Sequence, residues 1–400
     1  MFDRIILLIL ICIGLLFSLT GIETIFNIAF FFLLLYALHE KKVTFDLGDI
    51  VLILGTLTYY LFSGSRLYDA IYFSIVYDTA YQLGKKIVCV GKYLPENKAM
   101  IVILTVAAAR MISGVPDYLV RPKEATDSWI GWNGNEIVRT QYEMYLIMMA
   151  ALLGFYILVV IKMKVMWGII GVIASFASVY MGITTEGRFT LGCCLCGTGV
   201  VMILYFIENK SYRSKYGIIM ILSIGIVILS LITAYIFNLF GYREIYENSF
   251  MAGSGGIFTN TRFSLMKQQI ILLKDYPLGK CEVPLVEYNG MLTSYAHNFW
   301  LDIARKGGII PAVLYLVFSA TNIISMFKVW IYSNNINKYA TIAGFVGTMV
   351  YSALEATIHA RVYWSLIILI GGMLKGLTYI CGSDYKRDDI NNCFVFRFIL

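Results

Sequence analysis

The chain has 400 residues, of which 59% are hydrophobic and 14% charged, and its formal net charge is +7. Soluble globular proteins carry about 25% charged residues, so this composition excludes an ordinary soluble enzyme because too little polar surface is available. Repeated apolar stretches of about 20 residues predict a helical protein that crosses the bilayer many times. The Lys and Arg residues lie mostly between these stretches, where they indicate topology and not nucleic-acid binding.

The sequence predicts an all-α polytopic membrane protein, with residues 1–400 forming a single domain of about twelve spans. The first segment runs on without a small-residue cleavage site, so we interpret it as a membrane helix and not as a signal peptide. In chain order the predicted spans are 1–20, 22–38, 47–62, 67–83, 100–115, 141–161, 165–183, 189–207, 216–240, 309–330, 340–357 and 362–380.

The fourth predicted span is ambiguous, because Asp69 and Asp78 interrupt it and it could instead lie along the membrane interface. Counting it as a span places most Lys and Arg of the short connections on one side, together with both termini. The positive-inside rule makes that side cytoplasmic and predicts a multi-pass protein of the cytoplasmic (inner) membrane. The longest polar interruption, residues 241–308, then becomes a large external loop between the ninth and tenth helices, and we expect it to carry the site.

The cysteines do not indicate a disulfide framework. Most of the eight lie in or beside apolar runs, where small side chains pack between helices. The sequence Cys193-Cys194-Leu195-Cys196 has no accompanying histidine, so it is a poor metal site. No metal or cofactor is expected.

Several basic residues fall on or near the predicted external face: Arg66, Arg110, Arg188, Arg262, His297, His359 and Arg361. A cluster of arginines at a membrane surface favours an anion, because guanidinium stays charged and offers a planar fork of donors to phosphate. Any single arginine is more often a snorkelling side chain or one half of a charge pair. Arg188 is the stronger candidate because it opens a predicted helix, although Glu186 could be its partner.

His297 is predicted to begin an amphipathic helix, on one stripe with Leu301 and Ala304, while its aromatic neighbours anchor in the membrane interface. Gly307-Gly308 ends that helix, and Pro311 falls in the first turn of the next, where proline is tolerated. A lone histidine is usually structural. A neutral imidazole at this place could also accept a proton from a sugar hydroxyl.

The order of these motifs resembles the O-antigen ligase and O-antigen polymerase superfamily of bacterial polysaccharide assembly. The resemblance covers residues 184–318 in detail and the rest in topology only. One departure is Gly307-Gly308, where an acidic residue followed by glycine is more usual. The motifs are Gly187-Arg188, Arg262, Tyr276-Pro277-Leu278-Gly279, His297-Asn298-x-x-Leu301 and Gly307-Gly308-Ile309-Ile310.

The resemblance implies a metal-independent, inverting membrane glycosyltransferase that uses no cofactor. Such enzymes transfer a glycan from undecaprenyl diphosphate to an acceptor at the outer face of the cytoplasmic membrane. Arg188 and Arg262 would bind the diphosphate, and His297 would assist the acceptor hydroxyl. Arg66, Arg110, His359 and Arg361 are additions from topology alone.

We favour a polymerase over a ligase, because no segment stands out as a module for a lipid or protein acceptor. The expected partners are an undecaprenyl-diphosphate-linked oligosaccharide, the lipid bilayer, a chain-length regulator and a flippase, and no nucleic acid. A lipid-linked oligosaccharide flippase or exporter is the alternative from another class, but it would line a central cavity with arginines. A membrane sensor is a further alternative, disfavoured because the cytoplasmic segments are short.

Overall fold

The computed structural model describes residues 8–9, 11–13, 15, 45–89, 94–122, 128–185, 189–208, 261–286, 292–355 and 361–388. This part of the chain is mostly helical. Two short antiparallel pairs, β1 with β2 and β3 with β4, are its strands. In chain order the elements are α1 Leu47–Phe62, α2 Leu67–Ile87, α3 Pro95–Leu119, β1 Ser128–Ile130, β2 Glu136–Val138, α4 Arg139–Ala151, α5 Leu153–Met163, α6 Met166–Thr184, α7 Phe189–Glu208, α8 Thr261–Leu272, β3 Leu285–Val286, β4 Leu292–Thr293, α9 Phe299–Gly307, α10 Ile309–Tyr332, α11 Lys338–Leu354 and α12 Arg361–Asp388.

Within the described residues, the helices long and apolar enough to cross a membrane are α3, α6, α7 and α10. Shorter apolar helices occur at Leu47–Phe62, Leu153–Met163 and Trp364–Ile380. These helices support the interpretation as a membrane protein. The total of twelve spans and the external position of the large loop stay predictions. Most of the first predicted helix, and all of the second and ninth, lie outside the described residues.

The ambiguous fourth segment forms one continuous helix, α2, which packs between α1 and α12. It is not among the four candidate spans, and its buried residues include Gln82 and Lys85. Lys85 lies 2.6 Å from an oxygen of Asp49 in α1, and Gln82 donates to the same carboxylate at 2.8 Å. Two polar side chains near the end of α2 are therefore paired with α1 inside the protein.

The predicted helix 141–161 has the expected extent but is divided into α4 and α5 at Leu152. The amide of Leu152 and that of Tyr156 each donate to the carbonyl four residues earlier, at 3.2 and 3.0 Å, so the chain direction continues. Small residues surround this point: a Cβ added to Gly197 or Gly347 would lie 2.6 or 2.5 Å from the nearest atom of Ala151. Close approach between helices at glycine is typical of membrane bundles.

The polar segment after the fifth predicted span is more ordered than expected. Pro116 does not end α3 but lies inside it, one turn before its last residue. The segment then forms the hairpin of β1 and β2. Trp129 in β1 is buried against Tyr142, and its indole donates to the carbonyl of Asp117 at 3.0 Å. This indole contact fastens the hairpin to the end of α3.

The amphipathic helix predicted after His297 exists as α9, but it is covered by protein. It packs against α1, α8, α10 and α11. Phe299 is buried, with its ring centroid 4.0 Å from that of Trp364, and Ile303 is fully buried. The expectation of anchoring in the membrane interface was therefore wrong for Phe299 and Ile303, because the core of the bundle supplies the apolar surface that they contact.

Candidate functional site

The backbone immediately before α9 is fixed by one carboxylate. Asp302, in the first turn of α9, accepts hydrogen bonds from the amide of Ala296 at 2.6 Å and from that of Asn298 at 3.1 Å. Asp302 is only 1% exposed. A buried carboxylate that accepts two backbone N–H groups holds the intervening residue, His297, in one conformation.

Asn298 fastens the same turn to two helices. It is the N-cap of α9, because its side-chain oxygen accepts from the amide of Leu301 at 3.1 Å. Its side-chain nitrogen donates to the carbonyl of Ala353 in the last turn of α11, at 2.9 Å. The start of α9 and the end of α11 are therefore held together beside His297.

His297 lies before α9 and not within it, with a left-handed φ of 52°. The predicted helical stripe with Leu301 and Ala304 was wrong, since Asn298 caps the helix one residue later. A residue other than glycine rarely adopts such a φ unless its surroundings impose it. Backbone strain of this kind is common at functional sites. The imidazole is 22% exposed, so it is held firmly and remains accessible.

Glu355 faces the imidazole from the C-terminal end of α11. One of its oxygens lies 3.4 Å from Nδ1 of His297, and its side chain is 7% exposed. Glu355 was not predicted from the sequence as a partner of His297. No local pattern reveals this contact, because the two residues meet only when α9 packs on α11.

The pKa of Asp302 is raised to about 6 by burial. The hydrogen bonds from Ala296 and Asn298 and the charge of His297 oppose this increase, whereas Glu355 adds to it. The turn that holds His297 is therefore sensitive to protonation in the mildly acidic range.

The start of α7 is occupied by a buried acid from α4. Glu143 accepts hydrogen bonds from the amides of Phe189 and Thr190 at 2.8 and 3.1 Å, and it is 1% exposed. A helix N-terminus favours an anion, and the acceptor described at this one is the Glu143 carboxyl group. Glu143 was not among the predicted site residues, although a lone acid in an apolar run is a usable signal.

Arg110 is buried in α3, and one guanidinium nitrogen donates to the carbonyl of Met144 at 3.2 Å. This hydrogen bond joins α3 to α4 at Met144, the residue that follows Glu143. Arg66 is exposed and is the N-cap of α2. It follows Gly64, where an added Cβ would lie 3.7 Å from the Lys280 side chain. Arg66 therefore lies near the C-terminal end of α9, whereas His297 precedes its N-terminal end. At that C-terminal end, Gly307 packs against α1.

The remaining predicted site residues are described in part or not at all. Arg188 and His359 lie outside the described residues. Arg262 and Arg361 are described as backbone only, in the first turns of α8 and α12. Their predicted roles stay predictions.

The helix that carries Arg262 is nevertheless well anchored. Arg305 in α9 is buried and donates to Gln269 of α8 at 2.8 Å and to the carbonyl of Val283. Gln268 exchanges two hydrogen bonds with the backbone of Val286 in β3, at 2.8 and 2.9 Å. Arg305 therefore serves as a structural link between α8, α9 and the loop, which fixes the position of α8.

A small apolar cluster completes this anchor. Leu265 in α8, Leu285 in β3 and Ala296 pack together and are fully buried. Helical spacing places residue 262 on the same face of α8 as Leu265 and Gln269. Since Ala296 immediately precedes His297, this face of α8 packs beside the turn that holds His297.

Two motifs that are separated in sequence interlock below the site. The amides of Lys280 and Cys281 donate to the last carbonyls of α9, and the amide of Ile309 donates to Pro277, at 2.9 to 3.0 Å. Gly308 has a φ of 88°, and a Cβ there would lie 2.6 Å from the carbonyl carbon of Leu278. The Pro277–Gly279 turn and the glycine pair after α9 thus form one close-packed joint.

Comparison with models of protein families and with curated proteins finds no match for this chain. Among the described residues, no three His, Cys, Asp or Glu side chains are grouped so that they could hold a metal ion. Metal independence stays an expectation.

Proposed function

We propose that this chain polymerises a cell-envelope polysaccharide, by transferring a glycan from undecaprenyl diphosphate to a hydroxyl of an acceptor glycan at the outer face of the cytoplasmic membrane. The observation that carries the proposal is the turn before α9, where Asp302 and Asn298 hold a partly exposed His297. The donor, the acceptor and the polymerase class come from the resemblance of the motifs around this turn.

In the proposed reaction, His297 is the general base. As the acceptor oxygen attacks the anomeric carbon, its proton passes to the imidazole. The bond between the anomeric carbon and the phosphate oxygen breaks, and its electron pair leaves with the diphosphate. Attack from the face opposite the leaving group inverts the anomeric centre. Because the turn is held before substrate arrives, little reorganisation is needed at the moment of reaction.

Arg188 and Arg262 are proposed to bind the diphosphate. Negative charge accumulates on the leaving group in the transition state, and a fixed guanidinium stabilises it without moving. Support for Arg262 comes from its helical spacing, one turn before Leu265 on the face of α8 that packs against Ala296. Support for Arg188 comes from its sequence position, directly before the α7 start that Glu143 fixes.

The test uses purified full-length protein in lipid nanodiscs with undecaprenyl-diphosphate-linked oligosaccharide extracted from the source cells. Wild type is compared with His297→Gln, Arg262→Ala and a matched surface control, Lys274→Ala, which lies in the same loop and is exposed. We expect a ladder of products from wild type and Lys274→Ala. Loss of the general base should reduce the rate about 10²–10⁴-fold.

A ladder that persists unchanged in His297→Gln would overturn the site. No ladder from wild type, but product with an added lipid or peptide acceptor, would replace the polymerase by a ligase. Translocation of the same lipid across liposomes without any product would replace the enzyme by a flippase. Thermal unfolding of every variant shows whether the fold is retained.

A further inference from the structure

We infer that Glu355 is a positioning residue for His297: it holds the imidazole proton on Nδ1 and thereby leaves the lone pair of Nε2 for the acceptor hydroxyl. The inference deepens the proposed function and depends on it only for the identity of the proton donor. The contact between Glu355 and His297 is part of the structure and does not depend on which reaction the protein catalyses.

The first observation is the direction of the ring. Nδ1 of His297 is the nitrogen that faces Glu355, at 3.4 Å from Oε1. A neutral imidazole carries one proton, and an anionic acceptor beside one nitrogen favours the tautomer with the proton there. The other nitrogen, Nε2, is then the acceptor, as a general base requires.

The second observation is the location of the carboxylate. Glu355 is the C-cap residue of α11, with a side chain only 7% exposed. The C-terminal end of a helix carries partial negative charge, so a buried acid at this position is unfavourable by itself. The imidazole of His297 lies within ion-pair distance of this carboxylate and approaches it from outside α11.

The third observation is that the two elements cannot slide past each other. Asn298 donates to Ala353, two residues before Glu355, and Asp302 holds the backbone on both sides of His297. The left-handed φ of His297 then directs its side chain from a fixed backbone. The contact between imidazole and carboxylate is therefore set by three separate hydrogen bonds and not by chance rotamers.

Among the side chains that the structure describes, the charged groups shown to interact around the imidazole are acids. Asp302 of α9 and Glu355 of α11 both interact with it, and Glu143 of α4 interacts with Glu355. Asp302 uses its oxygens on the backbone amides of Ala296 and Asn298, and Glu143 uses one of its oxygens on the start of α7. Of these three acids, Glu355 is the one whose oxygen approaches the ring itself.

The experiment reads the tautomer directly. The chain has only three histidines, so protein labelled with ¹⁵N in the histidine rings and held in nanodiscs gives few signals. His297→Gln identifies the signals of His297. In alkaline buffer, where imidazole is neutral, we expect the wild type to show a protonated Nδ1 and an unprotonated Nε2. Glu355→Ala should shift His297 to the opposite tautomer or to a mixture.

Two further variants make the result specific. Glu355→Gln keeps a carbonyl acceptor and should retain part of the wild-type tautomer, while Glu282→Gln, an exposed acid in the same loop, should change nothing. In the ladder assay, Glu355→Ala should lower kcat by on the order of 10²-fold with little change in KM, because positioning acts on the chemical step.

A wild-type ring protonated on Nε2, or the same tautomer in wild type and Glu355→Ala, overturns the inference. An equal fall of kcat and of folded protein with an unchanged tautomer would show a merely structural role and overturn it as well. If the tautomer behaves as expected but no lipid-linked oligosaccharide is ever transferred, the proposed function fails while the assignment of Glu355 stands.

Discussion

Single residues around His297 show how a buried acid can hold a functional backbone. Asp302 does not contact substrate in the proposed reaction, yet its two oxygens bind the amides on either side of the histidine. The motif that contains His297 is readable from the sequence. The purpose of Asp302 is not, because an acid in the first turn of a helix is also the ordinary complement to the helix dipole.

We predict that Asp302 makes the stability of the protein pH-dependent. Burial raises the pKa of Asp302 from 3.8 to about 6, so the folded chain binds this proton more tightly than the unfolded chain. The resulting stabilisation is complete below about pH 3.8 and is lost as the pH rises through about 6. It amounts to about 3 kcal/mol.

The measurement compares the Tm of wild type and Asp302→Asn between acidic and neutral pH. Because asparagine cannot titrate, the advantage of wild type over the variant should shrink as the pH rises. Asp275→Asn, an exposed acid in the same loop, is the matched control and should show no such trend. A difference in Tm that stays constant with pH would refute the role of Asp302.

At the scale of elements, the start of α7 and the joint below α9 are both made by contacts distant in sequence. Glu143 of α4 binds the first amides of α7. The Pro277–Gly279 turn fits against Gly308. Sequence analysis found the turn and the glycines as separate motifs, but it could not show that they touch, since close approach of two backbones leaves no periodic signal.

We predict that Glu143→Ala loosens the start of α7. Loss of the acceptor leaves buried amides of Phe189 and Thr190 unpaired, at a cost of about 1–3 kcal/mol. Hydrogen exchange of the peptide that begins at Phe189 should accelerate, while Glu143→Gln, which keeps an acceptor oxygen, should remain closer to wild type. Unchanged exchange in the alanine variant would show that the carboxylate does not stabilise this end.

We predict that Gly308→Ala destabilises the protein far more than Gly134→Ala. Both glycines have φ near 80–90°, but the backbone of Gly308, with ψ near 180°, lies in a region that only glycine occupies readily. A Cβ at Gly308 also meets the Leu278 backbone, whereas one at Gly134 meets nothing within 4 Å. The expected costs are about 3 kcal/mol or more and about 1 kcal/mol. Equal losses of Tm would contradict the close-packed joint.

At the scale of the whole molecule, the apolar segments predict the described helices well, and the number of membrane crossings stays a prediction. α1 has the predicted bounds, and α10 begins at the predicted Ile309. α2 shows why hydropathy alone does not identify every buried helix. Lys85 of α2 pairs with Asp49 of α1 inside the bundle, so α2 is buried although its sequence is less apolar. The site depends on how α4, α9 and α11 meet, and helix packing of this kind is not encoded in any one segment.

The orientation gives the last prediction, and α10 is the helix on which to test it. It has 24 residues, which corresponds to about 36 Å and is enough to cross a bilayer. The first residue of α10 donates a hydrogen bond to Pro277, in the turn that follows exposed Lys274, and exposed Lys328 lies near the other end of α10.

If the loop is external, cysteines at positions 274 and 328 in an otherwise cysteine-free chain must react differently. In intact cells, a membrane-impermeant maleimide should label Lys274→Cys and leave Lys328→Cys unlabelled, and disruption of the membrane should make both reactive. Labelling of Lys328→Cys alone would show that the protein has the opposite orientation, with His297 on the cytoplasmic side. Topology would then no longer support an outer-face glycosyltransferase.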